Sequence, residues 1–201
     1  VGCGLGYLSL ALAPYAGHVT AVDSSREALQ ILEEHQKNLH ISNLHIFCED
    51  AMAMPPSLSF DHMVFCFFGH IKRVLPTAKR HCRGKLFMIK RNYAMHRFSV
   101  GSYPTGDDTY AGACHFLQEC GIPFECRTLA LEMGQPFRSL ADARLFFEIY
   151  SQDNHPQLIT DAFLRGQLVE TGRPDFPLYL PHLRQSGWLC LDANDIPDTF
   201  S

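Results

Sequence analysis

A glycine turn at the start of the chain is the segment best suited to hold a ligand. Residues 1–7 read VGCGLGY and lead into an apolar, alanine-rich run that ends at Pro14. Glycines after a strand let the backbone come close to a ligand, and the start of the next helix offers free N–H groups. The next expected strand, 18–22, ends at Asp23. A carboxylate there can accept hydrogen bonds from both hydroxyls of a ribose, so the pattern indicates a nucleotide-type cofactor.

The elements that must position these residues alternate between strand and helix. The first half predicts helices at 25–38 and 70–82, the former behind a capping box of Ser24 and Glu27. Expected strands lie between and around them, at 18–22, 44–48, 61–68 and 85–90. This order predicts an α/β fold with helices on both faces of a mostly parallel sheet.

The second half is less regular. Phe124–Glu132 and 187–192 are expected as strands, and the segment 172–181, with three prolines, is expected as a loop. Amphipathic patterns predict helices at 107–119, 140–150 and 158–166. We interpret 1–201 as one domain with a core of 1–136 and 187–201 and an insert of 137–186.

Composition limits the function classes. The chain has 201 residues, 46% of them apolar, which suits one α/β domain, and no run reaches the ~20 apolar residues of a membrane span. Eight scattered cysteines without a CxxC pair predict buried, reduced thiols and a cytoplasmic location. Because no cysteine or histidine spacing matches a metal site, no metal is expected.

The charges are unevenly distributed. Net charge is −4, which disfavours a generally basic nucleic-acid binder. Nevertheless nine of the seventeen Lys and Arg residues lie between Asp61 and Asp107, where no acid occurs. This stretch, which we name the basic rim (72–97), is either a solvated helix face or a surface that attracts an anionic substrate. Nucleic acid remains possible as a partner but is not favoured.

Two cofactors fit a glycine turn followed by an acid. The dinucleotide fingerprint is GxGxxG/A, but the sixth place counted from Gly2 is Tyr7, whose ring would obstruct close helix–strand packing. S-adenosylmethionine (SAM) has no pyrophosphate, so a GxGxG turn suffices. The residues therefore favour SAM over NAD.

The first 91 residues resemble class I SAM-dependent methyltransferases, in particular the small-molecule members called types 11 and 12. Four segments carry the resemblance in order: the glycine turn 1–6, the run 11–14 with strand 19–23, the acidic segment 49–51 and the strand 61–68. The resemblance implies a Rossmann-like, seven-stranded sheet whose last strand is antiparallel. It also implies a set of cofactor-binding residues: Gly2, Cys3, Gly4 and Gly6 at the methionine part, Asp23 and Ser24 at the ribose, and Asp50 and Ala51 at the adenine. Phe67 and Phe68 are candidates for a wall of the sulfonium or of an apolar substrate, with an ordinary core position as the alternative.

Methyl transfer from a sulfonium is an in-line displacement with an activated leaving group. The protein must align the nucleophile, exclude water and, for an acidic acceptor, remove a proton. Candidates for that base are His70, Tyr93 and His96, which follow the expected strands 61–68 and 85–90; His70 could equally be a helix-start or solvated residue. Family members that methylate amide or base nitrogens often carry [DN]PP[YF] where this chain has Cys66-Phe67-Phe68-Gly69. The sequence therefore favours a small-molecule acceptor.

Three further expectations follow. The strand before the glycine turn is largely missing, so a protein starting at Val1 is expected to fold poorly unless upstream residues are restored. The insert 137–186 is expected to cover the acceptor. Three alternatives stay open: an RNA or protein methyltransferase that uses the basic rim, a non-catalytic SAM-binding regulatory subunit, and a nicotinamide oxidoreductase.

Overall fold

The computed structural model describes residues 1–95, 98–101, 103, 106, 108–151 and 156–200. The chain forms two compact units. Unit 1 comprises 1–90, 111–127 and 188–201, and unit 2 comprises 91–110 and 128–187. Unit 2 thus contains the expected insert 137–186 together with flanking segments on both sides.

Strand and helix alternate in the first ninety residues, as the sequence predicts. The elements are α1 (Tyr7–Leu12), β1 (Val19–Asp23), α2 (Arg26–Asn38), β2 (Leu44–Cys48), β3 (Met63–Cys66), α3 (Ile71–His81) and β4 (Lys85–Arg91). β1 pairs in parallel with β2, and β3 with β4. The remaining elements are α4 (Tyr110–Glu119), β5 (Glu125–Glu132), β6 (Gln135–Phe137), α5 (Leu140–Tyr150), α6 (Asp161–Gln167), β7 (Val169–Glu170), β8 (Leu178–Leu180) and β9 (Leu183–Asp192).

The last strand runs against its neighbour. Strand order in the larger sheet is β3-β4-β9-β5. The N–H of Ala193 donates to the carbonyl of Gly84 at 2.8 Å, and the N–H of Asn92 donates to the carbonyl of Gln185 at 3.0 Å. Because the residue numbers fall on one strand as they rise on the other, β9 is antiparallel to β4.

The expected seven-stranded sheet is not confirmed, because the strands of the described residues form three separate sheets. β1 and β2 form a sheet of two strands, apart from the sheet of four. Residues 1–3 form hydrogen bonds to both of these sheets. The amino group of Val1 donates to the carbonyl of Val64 on β3 at 2.9 Å, and the N–H of Cys3 donates to the carbonyl of Val22 on β1 at 3.1 Å. A cavity of about 1110 Å³ lies here, lined by residues of β1 and β3.

Unit 2 has its own core and its own sheet. Phe147, Leu164 and Leu180 are fully buried in a cluster with Phe137 and Ile159. A three-stranded antiparallel sheet, β6-β8-β7, packs with the helices α5 and α6. The expectation of a loop over 172–181 is therefore wrong at 178–180, where β8 pairs with both of its neighbours.

Several boundaries differ from the expected ones. The cap of α2 is Ser25, not Ser24: its hydroxyl accepts from the N–H of Ala28 at 3.2 Å. β3 ends at Cys66 because the next residue, Phe67, has φ 51°. α4 begins at Tyr110, and the expected start at Asp107 lies outside the described residues. α6 spans only 161–167.

Candidate cofactor site

The glycine turn has the backbone that its sequence predicts. Gly2, Gly4 and Gly6 have φ of 61°, 52° and 76°, a region that costs other residues about 1–2 kcal/mol each. A Cβ at Gly2 would overlap the ring of Phe68, and one at Gly6 would overlap Leu32 on α2. These two glycines therefore let the turn pack against the end of β3 and against α2.

Gly4 is different from its two neighbours. A Cβ built there meets no protein atom within 4 Å. The φ of 52° already favours glycine at this position, but no neighbouring side chain requires it, and the open space leaves room for a ligand against the turn. The observation fits a small cofactor whose approach to the backbone a Cβ would block.

Asp23 connects the turn to the end of β1. Its Oδ2 accepts from the N–H of Gly4 at 2.8 Å, and its Oδ1 accepts from the N–H of Ser25 at 2.9 Å. A carboxylate has about four lone-pair sites, so both oxygens keep capacity for a further hydrogen bond. Two backbone donors thus orient a carboxylate directly beside Gly4.

Cys3 lies between the glycines as a partly buried thiol. Its carbonyl accepts from the N–H of Gly6 at 2.9 Å, closing the turn. Burial, with a smaller contribution from the charge of Asp23, raises the pKa of the Cys3 thiol. The side chain is therefore a neutral wall of the turn rather than a nucleophile.

The end of β2 meets the end of β1. The N–H of Glu49 donates to the carbonyl of Asp23 at 3.0 Å. Asp50 follows as an exposed residue whose Oδ1 accepts from the N–H of Met52 at 2.9 Å, while Ala51 is buried. The structure thus brings the acidic segment 49–51 to the same strand edge as Asp23.

The turn after β3 closes the same edge. Phe67 is 40% exposed and has a left-handed φ, which costs a non-glycine residue free energy. Phe68 lies against Gly2, as described above. The ammonium of Lys90 donates to the carbonyl of Gly69, and Lys90 is only 1% exposed. A buried cation thus helps to fix the turn that carries both phenylalanines.

Lys90 corrects one expectation. We counted it in the basic rim, but its burial removes it from any surface. Its position was readable in part, because Leu86, Met88 and Lys90 alternate along β4 on the buried side. Of the remaining rim, Lys79 pairs with Asp198 at 2.9 Å and Lys85 with Asp192 at 3.6 Å. The basic rim is therefore less cationic than its sequence indicates.

The three candidate bases have different surroundings. His70 is the N-cap of α3, and its Nδ1 accepts from the N–H of Lys72 at 3.3 Å. Tyr93 belongs to unit 2, where the guanidinium of Arg184 lies 6.0 Å from its ring centre. His96 lies outside the described residues. The helix-start role considered for His70 is the one that the structure shows.

Two other expectations concern thiols and metals. Cys82 and Cys190 are buried, but Cys48 and Cys126 are exposed, so the prediction of buried thiols is only partly right. All eight cysteines are free. Within the described part of the chain, no group of three or more His, Cys, Asp or Glu side chains is placed to hold a metal ion.

A comparison with protein families assigns the first part of the chain. Residues 1–85 match the family model described as a methyltransferase domain. This part of the chain is thus similar to methyltransferase domains. The resemblance inferred from the glycine turn is confirmed, and so is the enzyme class of methyltransferase. No curated protein matches the chain.

Solved structures support the fold over nearly the whole chain. YcgJ from Bacillus subtilis is 13% identical, with a TM-score of 0.60 over 94% of this chain and 88% of that one. A proposed methyltransferase from Bacillus halodurans is also 13% identical, with a TM-score of 0.60 over 96% and 90%. Precorrin-6y C5,15-methyltransferase from Geobacter metallireducens is 10% identical, with a TM-score of 0.52 over 95% and 78%. The predicted α/β, Rossmann-like fold class is thereby confirmed.

Among the described helices, none is long and apolar enough to cross a membrane.

Proposed function

We propose that this methyltransferase domain binds SAM at the edge formed by the glycine turn and the ends of β1 and β2, and that the chain methylates a small molecule. The observation that carries the proposal is the open space at Gly4 beside the oriented carboxylate of Asp23. SAM, when bound, supplies a methyl group on a positively charged sulfur, already activated for in-line displacement.

The residues of the chain bind and orient. The Gly2–Gly6 backbone faces the methionine part, Asp23 and Ser24 serve the ribose, and Asp50 with Ala51 frames the adenine. Asp23 is preorganised, because the N–H groups of Gly4 and Ser25 already hold both of its oxygens. Preorganisation lowers the free-energy cost of binding.

On the acceptor side, Phe67 and Phe68 exclude water and face the sulfonium, a contact that an aromatic ring stabilises. His70 is proposed to act on the acceptor through Nε2. Because Nδ1 accepts a hydrogen bond, the neutral ring carries its proton on Nε2 and donates there. His70 in this tautomer orients an acceptor oxygen; Tyr93 and His96 remain the proposed alternatives for taking a proton.

We further propose that the insert 137–186 forms part of the acceptor cover. Its helix α5 exposes Leu145, Ile149 and Tyr150 at 57%, 64% and 54%. Apolar side chains of this kind exclude water when they lie over a reacting group. Replacing only the exposed Leu145, Ile149 and Tyr150 by polar residues, which keeps the buried face of α5, should leave SAM affinity within about a few-fold and abolish transfer. Full turnover by that variant on the true acceptor would contradict the placement.

The proposal of a small-molecule acceptor draws support from a structural neighbour whose name specifies precorrin-6y, a small molecule. An RNA or protein acceptor on the basic rim is the alternative, and a SAM-binding subunit without chemistry is another. Labelled SAM should be incubated with the protein and fractionated cell extract, beside Asp23→Ala as the inactive control. Label is expected in small molecules; label confined to RNA or protein, or no transfer at all, would overturn the proposal.

A further proposal concerns the gap between the two-stranded sheet and the four-stranded sheet of unit 1. β1 and β3 line the same cavity of about 1110 Å³, and residues 1–3 already donate one hydrogen bond to each. We propose that one further parallel strand fills this slot and completes a seven-stranded sheet. Extending the protein before Val1 by about ten residues, most of them apolar as in a strand buried on both faces, should raise its unfolding temperature by several degrees. An unchanged unfolding temperature would contradict it.

A further inference from the structure

One face of the ladder between β4 and β9 in unit 2 carries an unusual set of polar side chains. Asn92 and Gln185 form a directly opposite pair, as their hydrogen bond shows. In an antiparallel ladder the next pairs outward are Arg91 with Ser186 and Tyr93 with Arg184, and both pairs lie on the face opposite to Asn92. The contact of Arg184 with the ring of Tyr93 agrees with this register.

The buried polar atoms on this face include two, on Arg91 and Ser186, that have no hydrogen-bond partner among the described residues. They are the hydroxyl of Ser186, whose side chain is 0% exposed, and Nε of Arg91. A buried polar atom without a partner costs free energy, so each such atom calls for an explanation. Arg91 is a permanent cation and Nε is a donor, and the hydroxyl of Ser186 can donate as well. One acceptor with a negative charge would satisfy both.

Apolar side chains adjoin these groups. β5 pairs with β9 so that Met133 is opposite His182, with the N–H of Met133 donating at 2.8 Å. By the same register Leu131 lies opposite Arg184 and Leu129 opposite Ser186, on the same face as the polar set. Leu129, Leu131 and Met133 are 43%, 50% and 49% exposed. The face therefore combines buried donors that lack a partner among the described residues with an exposed apolar strip.

We propose that this face of unit 2 binds the carboxylate of a small molecule with an apolar body. Arg91 and Ser186 donate to the carboxylate, and Arg184 adds positive charge. Leu129 and Leu131 contact the apolar part. A guanidinium matches a planar carboxylate in shape and charge, which gives such a site selectivity over a neutral isostere. This inference goes beyond the proposed function and does not rest on it, because binding needs no cofactor.

Calorimetric titration of the whole chain at constant ionic strength tests the site, with hexanoate and hexanamide as probes. Hexanoate is expected to bind at least about tenfold more tightly than hexanamide. Arg91→Gln should weaken hexanoate binding by about tenfold or more, and Ser186→Ala by about three- to tenfold. Arg165→Gln is the matched control, since it removes the same charge from an exposed position on α6 of the same unit. Arg91→Lys keeps the charge and should lie between wild type and Arg91→Gln if the glutamine variant unfolds.

Thermal unfolding adds a readout that separates the site from a structural role. Ser186→Ala removes an unpartnered hydroxyl, so it should unfold at the same or a higher temperature while binding hexanoate more weakly. A lower unfolding temperature with unchanged hexanoate affinity would overturn the proposal, because it assigns the hydroxyl to a structural partner. Equal affinity for both probes, or an equal loss in Arg165→Gln, would also overturn it.

Discussion

The glycine turn of unit 1 and the small sheet of unit 2 are encoded in different ways. In the turn, Gly2, Gly4 and Gly6 each meet a local demand for positive φ, and Asp23 accepts from the N–H of a residue in the turn itself. In unit 2, β7 has two residues and β6 and β8 three each. Their pairing joins Gln135 to Leu180. Backbone geometry that neighbouring residues demand is readable in a sequence, whereas a sheet built from distant short strands is not.

The same contrast holds for polar anchors. Glu132 accepts from the hydroxyl of Tyr179 at 2.8 Å and from the N–H groups of His182 and Gly134 at 2.9 Å and 3.0 Å. These bonds, foremost the one from His182, lower the pKa of the Glu132 carboxyl. No local motif marks this network, because its main partners lie about fifty positions away along the chain. Ser25, by contrast, caps α2 through Ala28, three residues on.

The largest expected effect separates the two regions by stability. Phe147→Ala empties a fully buried position in the core of unit 2 and should cost about 3–5 kcal/mol of unfolding free energy. SAM affinity, measured where the variant is still folded, should stay within about a few-fold, because the proposed cofactor site uses unit 1 residues. Leu145→Ala, at a 57% exposed position of the same helix, should cost less than about 1 kcal/mol. If folded Phe147→Ala no longer binds SAM, the proposed cofactor site depends on the core of unit 2, and the separation of the two regions is wrong.

Gly6→Ala addresses the glycine turn. Its Cβ would overlap Leu32 at a φ of 76°, so strain and overpacking together should cost about 2–5 kcal/mol. Gly17→Ala is the matched control, because nothing lies within 4 Å of its Cβ and its φ is not in the left-handed region. Denaturant unfolding measures both. Equal stability of the two variants would show that the turn does not need glycine at position 6.

The smallest stability effect should come from His70. His70→Ala removes the N-cap of α3 and should cost about 1 kcal/mol, whereas His70→Asn should restore it, because Asn is a good cap. Methyl-transfer rates then distinguish cap from acceptor contact. If His70 contacts the acceptor, both variants should be slowed by about tenfold or more. Recovery of full activity by His70→Asn would leave His70 with the capping role alone.

Much of unit 1 was predictable, and the reasons are local. The glycine turn, the acid after β1 and the alternation of strands with helices follow from residue type and spacing, and the family comparison confirms the domain they predict. Lys90 was misjudged because its partner, the carbonyl of Gly69, is fixed only by the pairing of β3 with β4. The face formed by Arg91 and Ser186 could not be predicted, since it depends on the register of β9 against β4.

SAM binding by the wild-type chain and by Asp23→Ala tests the central claim most directly. Titration calorimetry should show binding of SAM and of S-adenosylhomocysteine, but no binding of NAD(H). Asp23→Ala removes the carboxylate proposed to accept from both ribose hydroxyls and should weaken SAM binding by about 1.5–3 kcal/mol, or roughly ten- to 150-fold. Unchanged SAM affinity in Asp23→Ala, or tight NAD(H) binding without SAM binding in the wild type, would contradict a SAM site at the glycine turn.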